Sequence, residues 1–331
     1  MHLHLPPSSL HPHPRRALLI INPTAGHHSP RRQAAFVKHL EQAGLDVRVM
    51  ETRYRGHAAE IVKTHLPEAD LIIAGGGDGT IAEIAHAMLG QSCPLALWPV
   101  GSANVLALEL GVPFHDASNA TLIASGQTRT LWPGWLTTEG QASPTLFLQM
   151  VGVGPDGWVV QQLSTALKKR IGRAAYAVTA LRLLSTYPFP AFETDVDGRC
   201  YQSRLTIISK GRLYGGPFRL FHHNHHEEAA FSVFMLHRLH PLCLLKQAWA
   251  FLCRNDCTTP TFSFIRGRTV TCPGSQPVPA QSDGDFRGTT PLHITSAPAP
   301  LTVICPARNQ PPSGERNFFR QCSLNIGKRR Y

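Results

Sequence analysis

From residue 15 to about residue 126 the chain alternates between two hydrophobic periods. Residues 17–21 form a continuous apolar run, Ala-Leu-Leu-Ile-Ile, that breaks at Asn22-Pro23-Thr24-Ala25-Gly26. Such a run bounded by turn residues predicts a buried strand, and Ser29 is placed to cap the helix expected as far as Ala43. The same alternation predicts strands over 46–51, 71–74 and 94–99, and helices over 57–65, 81–89 and 104–110. In the stretch 81–89, Ile81, Ile84, Met88 and Leu89 share one helical face. Strands alternating with helices imply a parallel α/β sheet whose ligands lie at the C-terminal ends of the strands. Three loops of small and polar residues fall at those ends: 22–26, 75–80 and 99–104.

Beyond about residue 131 the texture changes. Short β-like runs (145–153, 194–196, 201–209, 230–236, 262–265 and 269–272) are separated by Gly, Pro and Asp turns. That spacing predicts an antiparallel, sandwich-like domain. A helical insertion is expected over about 157–185, and an amphipathic helix over 239–253. Residues 301–304 read as a last strand that could belong to either domain, and no internal repeat is visible.

The densest chemical signal is Gly75-Gly76-Gly77-Asp78-Gly79-Thr80. A strand that breaks into glycines and restarts as a helix gathers free backbone N–H groups at the positive end of a helix dipole. That is an anion site, most often a phosphate site. The four glycines are expected to let the backbone approach the phosphate and to take positive φ where needed. Asp78, itself an anion, is expected to orient the loop, a lysine or a metal. The competing expectation is a tight strand-to-helix turn with no ligand.

Composition narrows the partners. A chain of 331 residues accommodates two domains with a core in each. Its 43% hydrophobic and 16% charged content is that of a soluble globular protein. Lys and Arg outnumber Asp and Glu by 32 to 21, giving a net charge of +11. An anionic partner is expected, whether nucleotide, nucleic acid or acidic membrane, against the alternative of a merely solubilising basic surface. Several of these charges, Arg15, Arg16, Arg316, Arg320, Lys328, Arg329 and Arg330, lie near the ends of the chain. The eight cysteines show no paired metal spacing, Cys253 and Cys257 being the nearest pair, and read as reduced thiols of a cytosolic protein. The N-terminal stretch has no apolar core of a signal peptide, and no run approaches the roughly 20 apolar residues of a membrane span. A cytoplasmic protein that contacts the inner membrane surface peripherally is expected. The histidines His222, His223, His225 and His226 are expected in a solvated loop rather than on zinc.

The loops together resemble the diacylglycerol-kinase catalytic-domain family, which includes bacterial soluble lipid kinases and the sphingosine and ceramide kinases. The markers are Asn22-Pro23-Thr24-Ala25-Gly26, the Gly75–Thr80 loop followed by Glu83, and Pro99-Val100-Gly101-Ser102-Ala103-Asn104. Gly211-Arg212-Leu213-Tyr214-Gly215-Gly216 resembles the family's aromatic-Gly-Gly segment, and Asp283-Gly284-Asp285 its Asp-Gly-Glu turn. The resemblance runs from Leu18 to about Pro306.

It implies an N-terminal parallel α/β nucleotide-binding domain over 15–130, then a β-sandwich-like domain over 131–292, with a cleft between them. A segment over 293–306 would return to the first domain, between disordered tails at 1–14 and 307–331. ATP and Mg²⁺ would bind through Thr52, Gly75, Gly76, Gly77, Asp78, Gly79, Thr80, Ile81 and Ser102, with Asn22, Thr24, Glu83, Gly101 and Asn104 beside them. Asp285 stands where the family places its proton acceptor, and Asp283 would share that role or bind metal. Asp-Gly is equally a common hairpin signal.

Four departures mark this chain. Asp285 replaces the family's Glu, Ala82 an Asn, and Val105 an Asp found in many diacylglycerol kinases. Glu227-Glu228-Ala229 replaces the Asp-Asp-Gly of a second-domain metal loop, so a structural Mg²⁺ there would use Glu228 and nearby carbonyls. The expected function is an ATP- and Mg²⁺-dependent lipid kinase acting on a diacylglycerol-like or sphingoid hydroxyl at a membrane surface. The alternatives are a nucleotide- or phospholipid-binding protein whose kinase chemistry has decayed, and an NAD-kinase-like enzyme, whose family also carries Gly-Gly-Asp-Gly-Thr. No specific nucleic-acid partner is expected.

Overall fold

The computed structural model of the protein describes residues 15–140, 143–162, 188–216, 218–223, 225–238 and 261–307. They divide into two units, one running to Thr130 and resuming at Leu301, the other spanning Leu131–Pro300.

The first unit opens with β1 (Arg15–Ile21), α1 (Pro30–Gln42), β2 (Leu45–Glu51), α2 (His57–His65) and β3 (Leu71–Gly76). It continues with α3 (Asp78–Ala87), β4 (Leu95–Pro99), α4 (Val105–Leu110), α5 (Asp116–Ser125) and β5 (Thr128–Leu131). The apolar runs become strands because both faces of the sheet are covered. Leu19, Ile21, Ile73, Ala96 and Trp98 pack on one side with Phe36 and Leu40 of α1 and Ala120 and Ile123 of α5. The Phe36 and Trp98 rings stack at 4.2 Å. Ser29 caps α1 by accepting the Arg32 N–H at 3.2 Å. β1 pairs in parallel with β2 and β3, and β3 with β4, so their loops emerge at one edge.

The second unit carries β6 (Gly134–Thr138), β7 (Thr145–Phe147), β8 (Met150–Val153), α6 (Pro155–Gln162), β9 (Phe192–Val196), β10 (Arg199–Ser203) and β11 (Leu205–Ser209). The short hairpin β12 (Leu213–Tyr214) and β13 (Phe218–Arg219) precedes β14 (Phe231–Leu236), β15 (Phe262–Gly267) and β16 (Val270–Cys272). Last come β17 (Pro279–Ser282), β18 (Asp285–Thr289) and β19 (Leu292–Ser296). Two six-stranded sheets result, ordered β10-β9-β16-β19-β6-β7 and β15-β14-β11-β8-β17-β18. Leu136, Phe192, Val270 and Ile294 from one sheet meet Val151, Ile208, Val233 and Ala280 from the other in a shared core. This is a β-sandwich.

β20 (Leu301–Ile304) then enters the first unit, where the sheet order is β2-β1-β3-β4-β20-β5. Residues 293–296, expected in the returning segment, instead pair with β6 inside the sandwich. The run 145–153 is two strands rather than one, because β7 and β8 are broken at Leu148 and Gln149. The run 201–209 likewise splits between β10 and β11. Of the expected helix over 157–185, residues 157–162 lie in α6, and 163–185 fall outside the described residues, as do 239–253, Cys253, Cys257 and both tails. Among the described residues no helix is long and apolar enough to cross a membrane, and Cys93, Cys200, Cys272 and Cys305 are free thiols.

Candidate functional site

At the C-terminal edge of the first unit's sheet, three loops lock together by backbone contact. The Asn22 N–H donates to the Gly75 carbonyl at 2.8 Å, and the Gly101 N–H to the Gly76 carbonyl at 3.2 Å. The His27 N–H donates to the Val100 carbonyl at 2.8 Å, closing the set. The side chains here are small for steric reasons. A Cβ on Gly101 would lie 2.2 Å from the Gly77 Cα, one on Gly76 would lie 2.6 Å from the Thr80 Cβ, and one on Gly26 would lie 2.7 Å from Ser102 Oγ. None of Gly75, Gly76, Gly77 and Gly79 takes positive φ, contrary to expectation. Gly76 is glycine because a Cβ would collide with Thr80, a Cβ on Gly75 or Gly77 would sit tightly at 3.0 Å from the Trp98 ring and 3.3 Å from the Gly101 Cα, and the space around Gly79 is open.

The polar residues of these loops have defined work. Asn22 Oδ1 accepts the N–H and hydroxyl of Thr24 at 3.0 and 2.8 Å, and its amide reaches Thr80 Oγ1 at 3.4 Å. Thr52 extends β2 by donating its N–H to the Ile21 carbonyl at 2.8 Å. Asp78 Oδ1 accepts the Leu106 N–H at 3.2 Å. Burial raises the Asp78 pKa, opposed by N–H groups of Leu106, Val105, Asp78 itself and Asn104. Asp78 therefore orients the loop by gathering the start of α4, with no lysine among its described partners. Glu83 accepts the Ala59 N–H at 3.2 Å and so completes the start of α2. Ile81 is buried under the loop.

Two features leave room for a ligand. Gly77 is the N-cap of α3 and, among the described residues, no side chain caps that helix from the N-cap position; with the Asp78 N–H turned to its own carboxylate, the next N–H groups, of Gly79 and Thr80, are left for an anion. Asn104, in the left-handed region at φ 51°, donates its amide to the Gly101 carbonyl at 2.7 Å, while its buried Oδ1 has no hydrogen-bond partner among the described residues. Ser102 is exposed beside it.

The second unit holds the other expected carboxylates. Asp283 and Gly284 form the two-residue turn between Ser282 and Asp285, with φ of 48° and 86°. Positive φ at both positions is what a tight hairpin turn demands. The Asp283 carboxylate accepts the N–H groups of Leu148, Gln149 and Met150 at 2.7, 3.0 and 2.9 Å. Those three bonds commit it to holding the turn against the start of β8, rather than to a metal. Asp285 is half exposed and pairs with Arg287 at 3.3 Å.

Asp156 and Gln281 lie outside every motif singled out from the sequence. Asp156 accepts the Tyr214 hydroxyl and the Gln281 amide, each at 2.6 Å, and Gln281 Oε1 accepts the Gly284 N–H at 2.8 Å. Burial raises the Asp156 pKa, and burial beside that carboxylate holds the Tyr214 phenol well above its usual range. The available signal was Gly152-Val153-Gly154-Pro155-Asp156, a second passage from strand through glycine to helix.

A metal at Glu228 does not fit. Its carboxylate pairs with Arg266 and lies 3.4 Å from His225 Nδ1. The Lys210 ammonium donates to the Glu228 and Ala230 carbonyls at 2.5 and 2.9 Å. Lys210 is wholly buried and lies 4.9 Å from the Phe231 ring centroid; burial pushes its pKa down to about 7. Among the described residues, no group of three or more His, Cys, Asp or Glu could hold a metal ion. The solvated histidine loop is corrected in its second half: His222 and His223 are exposed, but His225 and His226 are buried, and His226 Nε2 donates to the Leu148 carbonyl at 2.9 Å.

Comparison with known proteins likewise finds two parts in the chain. Residues 16–134 match the diacylglycerol kinase catalytic domain, and residues 149–305 the YegS C-terminal NAD kinase beta sandwich-like domain. A diacylglycerol kinase of Bacillus subtilis is 25% identical over 299 residues, covering 88% of this chain and 97% of the relative. A protein of Pseudomonas putida named a probable lipid kinase YegS-like is 35% identical over 210 residues, covering 61% of this chain and 67% of the relative. In fold, the chain matches a crystal structure of a diacylglycerol kinase from Bacillus anthracis with a TM-score of 0.66 at 20% identity, over 88% of this chain and 97% of that one. The chain belongs to the diacylglycerol and YegS-like lipid kinase family.

Proposed function

We propose that the protein transfers the γ-phosphate of ATP to a hydroxyl of a diacylglycerol-like or sphingoid lipid. The observation that carries this reading is the interlocked set of three glycine loops, with a helix start uncapped from its N-cap position and a buried Asn104 Oδ1 that has no partner among the described residues. A cradle that a Cβ would fill and an orphaned acceptor are what a nucleotide site needs. The phosphates rest on the N–H groups at the start of α3, near Gly79, Thr80 and Ser102. Asn22, Thr24 and Asn104 shape the walls, and Asp78 and Glu83 hold the loop from behind.

Phosphoryl transfer asks a protein mainly for positioning and charge neutralisation. Mg²⁺ carried in with the ATP would supply part of that neutralisation. Asp285 accepts the proton of the lipid hydroxyl as its oxygen bonds to the γ-phosphorus. The bond to the β–γ bridging oxygen breaks and ADP leaves. A positioned base of this kind contributes about 10²–10⁴-fold. The protein works in the cytoplasm, and its basic charge draws it to the anionic inner surface of the membrane.

Transfer of labelled γ-phosphate from ATP and Mg²⁺ into micellar diacylglycerol, monoacylglycerol, sphingosine and ceramide tests this. Labelled lipid that falls by about 10²–10⁴-fold in Asp285→Asn supports the reading. NADP formed from NAD, or ATP bound with no labelled lipid, overturns it.

A further inference from the structure

Tyr214 of the aromatic-Gly-Gly segment and the unforeseen pair Asp156 and Gln281 form one chain of hydrogen bonds ending on the turn that carries Asp285. Its polarity is fixed by chemistry. A backbone N–H can only donate, so the Gly284 N–H turns Gln281 Oε1 towards itself and leaves the Gln281 Nε2 to face Asp156. Nε2 donates to Asp156 Oδ2 at 2.6 Å, and Oε1 accepts from Gly284 at 2.8 Å. Tyr214 donates to the other oxygen, Asp156 Oδ1, at 2.6 Å. Asp156 thus has both oxygens engaged, and each donor comes from a different segment: the hairpin strand β12 and the strand β17. Gly152 leaves the space the carboxylate occupies, since a Cβ there would lie 1.7 Å from Asp156 Oδ2.

We propose that Asp156, Tyr214 and Gln281 are positioning residues that set the Asp283–Asp285 turn, and through it the direction of the Asp285 carboxylate. The proposal rests on the reading of Asp285 as proton acceptor. Asp283 pins one side of the turn through three N–H groups of residues 148–150, which leaves the Gly284 peptide to be fixed from the other side. Gln281 supplies that second restraint, and Asp156 holds Gln281 in the only orientation that can. A buried network of this kind is worth building where a functional group must be held within a fraction of an ångström.

The test compares wild type, Tyr214→Phe and Gln281→Leu in the full-length protein, by amide hydrogen exchange and by lipid-kinase kinetics. Tyr214→Phe removes a single oxygen and keeps the ring, so it tests the network even where Gln281→Leu folds poorly. The expected result is an exchange rate at Gly284 at least ~10-fold faster in both variants, with β8 and β14 amides unchanged. With it comes a kcat lower by about 10-fold and an unchanged KM for ATP, because the glycine loops are untouched. Gly284 exchange equal to wild type in Tyr214→Phe overturns the proposal, as does wild-type kcat in a variant whose Gly284 is loosened. An inactive wild type whose Gly284 is loosened by both substitutions overturns the lipid-kinase reading and leaves the network as the support of the turn.

Discussion

Gly101 faces Gly77 with no room for a side chain of its own, whereas the space around Gly79 is open. The two positions therefore separate folding from binding. Gly101→Ala forces two loops apart and should cost about 1–3 kcal/mol in thermal or urea unfolding, together with ATP binding. Gly79→Ala lies in the first turn of α3, where alanine favours the helix by about 0.5–1 kcal/mol. It should keep or raise stability yet weaken ATP binding measured by calorimetry, because its methyl enters the space assigned to phosphate. Unchanged affinity in Gly79→Ala would move the phosphates elsewhere. Lys210 gives a second residue-level prediction. Its folded pKa is depressed to about 7 from 10.5, so between those values the unfolded chain binds more protons. Stability from this group accordingly rises with pH from about 7 towards 10.5, by at most about 1.4 kcal/mol per pH unit. Urea unfolding from pH 7 to pH 9 should show that rise in wild type and lose it in Lys210→Met.

At the scale of elements, α1 begins where Ser29 accepts the Arg32 N–H, and Ser29→Ala should lower stability by about 1 kcal/mol in thermal unfolding. This helix was legible because cap, proline and periodic apolar face all agree locally. The helix α5 was not. Its residues, Asp-Ala-Ser-Asn-Ala-Thr-Leu-Ile-Ala-Ser, bury only Asn119, Ala120 and Ile123, and the asparagine is held by the Leu97 and Pro113 carbonyls at 3.0 and 2.9 Å. A polar residue buried by such tertiary partners leaves no periodic trace. The strand β17 was missed for the same reason, since Pro-Ala-Gln-Ser is buried throughout while Gln281 spends its amide on Asp156 and Gly284. The glycine loops were legible because close backbone approach restricts residue type within a few positions. The Asp156 network was not, because its partners lie 58 and 125 residues away in sequence.

For the whole molecule, the informative element is the last strand of the first sheet to arrive. β20 lies between β4 and β5, and Leu301, Val303 and Ile304 are 2%, 1% and 1% exposed. A chain ending at Pro300 should therefore lose the cooperative unfolding of its first unit and show a reduced soluble yield, read by circular dichroism and size exclusion. A native melting profile for that truncation would contradict the role given to β20. The parallel α/β character of this unit was plain from its alternating runs, but the identity of the sixth strand was open between two domains, because a four-residue run with three apolar positions carries no address. That late strand also orders events during synthesis. On the ribosome the first unit emerges first and is completed last, after residues 131–300 have been made. At roughly 5–20 residues per second this leaves the β4 edge unpaired for about 10–30 seconds, a period in which a nascent chain is exposed to wrong pairing and to chaperones.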